Sequence, residues 1–143
     1  MRTVKENSIY AVIDTNVIVS AFLAKSTASS PAKVFFALYE GTIGLLYNDE
    51  ILEEYINVLS RKKFNFAQED IMNFISFVKE FGLDSERISS NEYFPDPKDV
   101  VFYEVALSRE SSFLVTGNIR HFPTSPIVIS PAEMVALIER LER

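Results

Sequence analysis

Residues 8–22 read "SIYAVIDTNVIVSAF", an apolar stretch interrupted at its centre by three polar residues. The β-branched run Ile9 to Ile13 predicts a buried strand, and the apolar residues after Asn16 predict a helix. Asp14 and Thr15 also lie where the two elements meet. One short polar side chain would be enough to cap the helix, whereas an unpaired carboxylate in apolar surroundings is costly. Two interpretations therefore stay open: a helix cap, or a carboxylate that serves chemistry.

The composition is that of an ordinary globular protein. The 143 residues are 48% hydrophobic and 24% charged, which predicts a single domain spanning residues 1–143. Cysteine is absent, so disulfides, thiolate metal sites and cysteine nucleophiles are excluded. No signal-peptide pattern and no membrane-spanning apolar run is present, and we expect a cytoplasmic protein. With a net charge of −6, nucleic acid would have to bind through a local basic patch or through bound cations.

Turn signals divide the chain into alternating strands and helices. The further predicted strands are "TIGLLY", "SFLVTGN" and "PIVIS". The predicted helices are the segment from about Asn16, "SSPAKVFFALYEG" with Ser30 as its cap and Gly41 as its stop, "NDEILEEYINVLSRKKF" with Asn48 or Asp49 as its cap, residues 68–81, "DPKDVVFYEVALSRE" with Asp96 as its cap, and "SPAEMVALIERLER" with a Ser130–Glu133 capping box. This alternation favours an α/β fold with three layers (α/β/α, Rossmann-like) and a mainly parallel sheet.

Two polar positions come directly after predicted strands, Asp14 and Asn118. In parallel sheets, ligands bind outside the carboxyl ends of the strands. If the two strands are neighbours, both side chains reach the same crevice.

The helix that contains "EILEEY" carries two adjacent acids with different surroundings. On a helical wheel, Glu54 lies beside the apolar face formed by Ile51, Tyr55 and their neighbours, whereas Glu53 points to solvent. Glu54 can therefore reach over the edge of the core. A boundary residue paired with a Lys or Arg remains an equal alternative.

Asp96 and Asp99 open the helix that contains Pro97. Asp96 has the pattern of an N-cap before a proline, and a structural role is favoured for it. Asp99 lies on the same face as Tyr103 and Ala106, the side expected to meet the sheet. Carboxylates such as Asp14 and Asp99, if gathered at one point, would raise each other's pKa. A Mg²⁺ or Mn²⁺ ion, which prefers oxygen ligands, would relieve that repulsion.

With these residues placed, the sequence resembles the PIN domain family, the metal-dependent ribonuclease fold of many prokaryotic VapC-type toxins. The similarity runs from about Tyr10 to Val135, through "VIDTNVIVSA", "EILEEYINVLSR", "DPKDVVFYEVAL" and "LVTGNIRHF". It implies a PIN-like α/β/α fold and hydrolysis of RNA phosphodiester bonds with Mg²⁺ or Mn²⁺. The implied partners are an RNA substrate and a small antitoxin protein, and the implied assembly is a homodimer or higher oligomer. No membrane partner is expected.

The resemblance also implies the site residues. The acids carried over as catalytic metal ligands are Asp14, Glu54 and Asp99. The family's fourth position falls on Asn118, where an acid is usual or follows three residues later; here that later residue is His121. A carbonyl oxygen of Asn118 or a bound water would have to serve there, and Asp96 is a further candidate ligand. The residues expected at the substrate are Thr15, Asn16, Thr116, Arg120 and His121.

The basic run Arg61 to Lys63 has two interpretations: an RNA-backbone contact, or cations that complement a helix C-terminus. Two alternatives to the ribonuclease also remain. One is a catalytically weak or inactive PIN-fold module that binds RNA or a protein. The other is an aspartyl-phosphate domain, which "DTN" disfavours because it lacks the D-x-D spacing of one phosphatase class.

Overall fold

The computed structural model describes residues 9–142. The strands are β1 (Ile9–Ile13), β2 (Ile43–Tyr47), β3 (Leu83–Asp84), β4 (Ser112–Val115) and β5 (Val128–Ile129). The helices are α1 (Thr15–Leu23), α2 (Ser30–Glu40), α3 (Asp49–Leu59), α4 (Gln68–Phe81), α5 (Val100–Ala106) and α6 (Pro131–Leu141), with 3₁₀ turns at Pro97–Asp99 and Ile119–His121. Residues 1–8, which show no signal-peptide pattern, and Arg143, the last residue of the final predicted helix, lie outside the described residues.

The five strands form one parallel sheet in the order β3-β2-β1-β4-β5. Helices flank this sheet, which confirms the predicted α/β/α fold and its parallel strands. β1 is central, and its neighbour β4 pairs with it in a register that sets Ile13 beside Val115. The carboxyl ends of β1 and β4 therefore meet at the same edge of the sheet.

Several predicted caps are confirmed. Asn48 Oδ1 accepts the Ile51 N–H at the start of α3, and Ser130 and Glu133 form the capping box of α6. Gly41 ends α2 in the left-handed region, with φ of 81°. The predicted cap of α2 was wrong by one residue, because Ser29 Oγ accepts the Ala32 N–H and Ser30 is already helical.

The ends of α3 and β4 were predicted wrongly, and the short strand β3 was missed. α3 ends at Leu59, since the chain then turns, with Phe64 N–H bonded to the Arg61 carbonyl. The "TGN" after β4 lies outside the sheet, where its polar groups bond to one another and to residues after β1. β3 was not predicted, because two residues are too few to show a strand periodicity.

The core binds α3 firmly to the end of β1. Tyr55 of α3 is fully buried and its hydroxyl donates to the Ile13 carbonyl. Its ring also packs near Phe74 of α4 and Phe102 of α5, with centroid distances of 5.6 and 6.4 Å. This packing fixes the position of the preceding residue in the chain, Glu54. Within residues 9–142, no helix combines the length and the apolar character that crossing a membrane requires.

Candidate active site at the carboxyl edge of the sheet

Asp14 is a buried carboxylate at the end of the central strand. Its backbone N–H donates to the Val115 carbonyl at 2.9 Å, which continues the pairing of β1 with β4. Asp14 occupies the N-cap position of α1, yet its side chain makes no capping hydrogen bond. Only 6% of the residue is exposed. Capping therefore does not account for this carboxylate.

The carboxylate of Asp14 is held by two side chains. Thr116 Oγ1 donates to Oδ2 at 2.8 Å, and Asn16 Nδ2 donates to the same oxygen at 3.2 Å. Asn16 Oδ1 in turn accepts the Gly117 N–H at 3.1 Å, and the Asn118 N–H donates to Thr116 Oγ1 at 2.9 Å. These bonds tie the residues after β1 to those after β4 and fix the direction of the Asp14 carboxylate.

Burial raises the pKa of Asp14 above its ordinary value. The hydrogen bonds from Thr116 and the Thr15 amide, and the nearby His121, lower it in part, while the charge of Glu54 raises it further. The net direction is upward. The surrounding protein therefore does not fully stabilise the negative charge of an ionised Asp14, and a bound cation would stabilise it.

Asp99 is the second acid at this edge of the sheet whose ionised form is unfavourable. Its side chain is 17% exposed, and its Oδ2 is buried without a hydrogen-bond partner in the described part of the chain. His121 Nδ1 lies 3.6 Å from Oδ2. Burial and the charges of Asp14 and Asp96 raise the pKa of Asp99 to about 6, against a partial lowering by His121.

Glu54 faces the same region from α3. It is half-buried, whereas Glu53 is exposed, as the helical wheel predicted. The charge of Glu54 raises the pKa of both Asp14 and Asp99. The three acids thus lie within electrostatic reach of one another at the carboxyl edge of the sheet.

Other residues singled out in the sequence lie around these acids. Asp96 is exposed and caps the 3₁₀ turn, where its Oδ1 accepts the Lys98 N–H at 3.0 Å. Asn118 is exposed at its side chain, and its backbone supports Thr116. Arg120 is also exposed, in the turn that carries His121. Thr15 is buried, with its hydroxyl unpaired among the described residues.

The donor set fits a hydrated divalent ion better than a closed cage. Among residues 9–142, no three His, Cys, Asp or Glu side chains are grouped closely enough to form a ready metal site. The oxygen Asp99 Oδ2, however, is buried without a hydrogen-bond donor among the described residues, and the charge of Asp14 raises the pKa of Asp99. Mg²⁺ keeps several of its waters and binds proteins through one or two carboxylates. Two carboxylates with a third nearby suit an ion of that kind.

Sequence reasoning missed an ionic network that joins α3 and α5. Arg87 Nε donates to Glu104 Oε1 at 2.8 Å, and Arg87 Nη1 donates to both carboxylate oxygens of Glu50 at 2.8 and 2.9 Å. The Ser90 N–H donates to Glu104 Oε2 at 2.7 Å. Glu104 is buried in the apolar helix "VVFYEVA". A lone acid within so apolar a helix was the available signal, because buried charges need partners.

The comparison with protein families agrees with this geometry. The family profile described as PIN domain matches residues 10–120, a span that contains all three acids. PIN domains are generally nucleases, and those nucleases generally use divalent metal ions. No curated protein matches the chain.

Proposed function

Because the chain belongs to the PIN domain family, we propose that it is an endoribonuclease that depends on Mg²⁺ or Mn²⁺. The observation that carries this proposal is the convergence of Asp14, Glu54 and Asp99 at the carboxyl edge of the sheet. The charge of Glu54 raises the pKa of both aspartates, and the charge of Asp14 raises the pKa of Asp99. Acids arranged in this way repel one another and lower the stability of the folded protein unless a bound cation neutralises them, which is typical of functional sites.

Asp14 and Asp99 would hold the ion, with Glu54 as the third ligand or as a ligand to its waters. The exposed carbonyl oxygen of Asn118 is a further candidate, at the position where the family usually has an acid. The chemistry supplied there by a bound divalent ion is neutralisation of phosphate charge and activation of a water. Asp96, which caps its own turn, contributes negative charge near Asp99.

The protein's own part in catalysis is to keep Asp14 in place. Thr116 and Asn16 both donate to Oδ2 and so hold the carboxylate in one orientation. The hydroxyl of Thr116 is itself oriented by the Asn118 N–H. Carboxylates fixed before substrate binds need no reorganisation during the reaction.

Two exposed side chains beside the acids could contact the RNA backbone. Arg120 and His121 are exposed in the turn after Asn118, and His121 reaches within 3.6 Å of Asp99. A phosphate placed against this turn would lie next to the ion site. The exposed run Arg61 to Lys63 offers a second basic surface to the RNA.

The resemblance to VapC-type toxins supports a role as the toxin of a toxin–antitoxin pair, in an oligomer and with a small antitoxin as partner. Expression of the chain should then arrest growth, and Asp14→Asn should relieve the arrest. Growth arrest that persists undiminished with Asp14→Asn would remove the support for an RNA-cleaving toxin.

Cleavage of a panel of RNAs tests the activity. The purified protein should cut RNA with Mn²⁺ or Mg²⁺, lose activity with a chelator, and regain it when the ion is restored. Asp14→Asn and Asp99→Asn should each be inactive. Equal cleavage by Asp14→Asn and the parent protein would show that the site is assigned wrongly.

A second candidate is a PIN-fold module that binds RNA without cutting it. Two observations favour it: Asn118 stands where an acid is usual, and the described residues contain no ready three-residue metal cluster. Titration calorimetry separates the two functions. Retained RNA binding without uptake of millimolar Mn²⁺ would establish the binding module.

A further inference from the structure

Three segments of the chain meet at one arginine, Arg87. Arg87 lies in the segment that follows β3, and it pairs with Glu50 of α3 and with Glu104 of α5. Both distances are 2.8 Å. The segment is also tied to α5 through its backbone, because the Ile88 N–H donates to the Glu104 carbonyl at 3.1 Å. Arg87 thus joins two helices that come from distant parts of the sequence.

The two joined helices are the ones that present acids to the site. Glu50 lies one helical turn before Glu54 on α3, so the pair at Glu50 acts on the helix face beside the ligand. Glu104 lies on α5, which continues directly from the 3₁₀ turn that ends at Asp99. Any change in the spacing of α3 and α5 would change the separation of Glu54 and Asp99.

These two helices carry like charges toward each other. Glu54 and Asp99 repel, which is one of the causes that raise the pKa of Asp99. Away from the acids, Tyr55 and Phe102 bring α3 and α5 together in the core, with ring centroids 6.4 Å apart. At the surface, the fork of the Arg87 guanidinium supplies bonds to both helices in defined directions.

We propose that Arg87, through Glu50 and Glu104, is a positioning residue that sets the distance between Glu54 and Asp99 and thereby the affinity for the divalent ion. This inference rests on the proposed function, since it takes those two acids as ligands. The two ends of the brace differ in burial. Glu104 is nearly buried, whereas 57% of the Glu50 side chain is exposed. Loss of the exposed pair should therefore cost little global stability, so its effect on ion binding can be measured in a folded protein.

Glu50→Ala and Glu53→Ala form a matched pair for the test. Each removes one exposed acid from α3, but of these two acids only Glu50 has a bond to Arg87 in the described part of the chain. Glu53 is adjacent to the ligand Glu54, so simple loss of negative charge should act at least as strongly there. A third variant, Glu50→Gln, removes the charge but keeps an oxygen that can accept a hydrogen bond from Arg87.

The readout is Mn²⁺ affinity, measured by calorimetry on the full chain, with thermal unfolding as the check on folding. Glu50→Ala should weaken Mn²⁺ binding on the order of tenfold. Glu53→Ala should leave the affinity nearly unchanged, and Glu50→Gln should recover most of the loss. Equal losses for Glu50→Ala and Glu53→Ala, or no loss for either, would overturn the brace.

One further variant separates this inference from the function on which it rests. If Asp99→Asn loses Mn²⁺ binding while the two alanine variants behave alike, the ion site stands and the brace alone fails. If the parent protein takes up no Mn²⁺, both the brace and the ion site are overturned. If Glu50→Ala does not fold, Arg87→Lys is compared with Glu53→Ala, and a Mn²⁺ affinity of Arg87→Lys that matches that of Glu53→Ala would count against the brace.

Discussion

The Thr116 hydroxyl donates a hydrogen bond of 2.8 Å to Asp14 Oδ2, although the two residues are 102 positions apart in the chain. The parallel register of β1 with β4 makes this possible, because it sets Ile13 beside Val115 and so brings the next residue of each strand together. The bond is buried, and burial strengthens a hydrogen bond to a charged acceptor. This bond joins the residue after β1 directly to the residue after β4.

Thr116→Val should destabilise the protein at pH 7, since valine keeps the shape but cannot donate to Asp14. Hydrogen bonds to charged groups contribute about 1.5–3 kcal/mol, and a loss in that range is expected in the free energy of unfolding from urea denaturation. The control is Thr124→Val, at an exposed threonine. Equal stability of the two variants would show that the bond to Asp14 contributes nothing.

Asp14→Asn should leave the metal-free protein at least as stable as the parent at pH 7. The reason is that burial and Glu54 make the ionised Asp14 unfavourable, while an asparagine carbonyl oxygen can still accept from Thr116. Thermal unfolding in the presence of a chelator measures this. A clear drop in the melting temperature would show that the carboxylate has a structural role, and would favour the interpretation of Asp14 as a cap of α1.

Stability without metal should depend on pH through Asp99. Its pKa is raised from 3.8 to about 6 in the folded protein, so folding favours the protonated acid. This contribution is full below about pH 4, falls as the pH rises to about 6, and is then lost. Because Asp99 is partly exposed, we expect a loss on the order of 1 kcal/mol.

The measurement is the difference in unfolding free energy between pH 4 and pH 7.5, taken for the parent protein and for Asp99→Asn. The variant should lack this part of the loss, since asparagine does not titrate. An identical pH dependence in both proteins would mean that the pKa of Asp99 is not raised. Added Mg²⁺ should restore stability to the parent protein at the higher pH.

Arg120→Ala should weaken RNA binding more than it slows the chemical step. Arg120 is exposed in the turn after Asn118 and touches no acid of the site among the described contacts. Loss of one phosphate contact should raise KM and reduce the salt dependence of binding. Arg140→Ala, at an exposed position on α6, is the matched control. Equal KM values for the two variants would place the RNA elsewhere.

Much of the fold could be predicted from local patterns. The caps at Asn48 and Ser130, the stop at Gly41 and the alternation of strands with helices each depend on a few neighbouring residues. The side of α3 that faces the core was also predictable, because helical periodicity separates Glu54 from Glu53. Such features require no knowledge of distant contacts.

The rest depends on contacts between distant residues. The sequence suggested a polar partner for Asp14 after β4, at Asn118, but the side chain that reaches Asp14 is that of Thr116. The strand ends at Val115, three residues before the end of the "SFLVTGN" segment, so the register alone decides which residue faces the acid. The network of Arg87 with Glu50 and Glu104 joins three segments and leaves no local pattern beyond one acid in an apolar helix.

The central claim is that Asp14, Glu54 and Asp99 form one ion-dependent site for cutting RNA. The most direct test compares Glu54→Gln with Glu53→Gln, the same change one position apart on α3, in Mn²⁺-dependent RNA cleavage. Glu54→Gln should lose nearly all cleavage, while Glu53→Gln should cut RNA like the parent protein. Equal cleavage by the two variants, or a loss confined to Glu53→Gln, would contradict the claim.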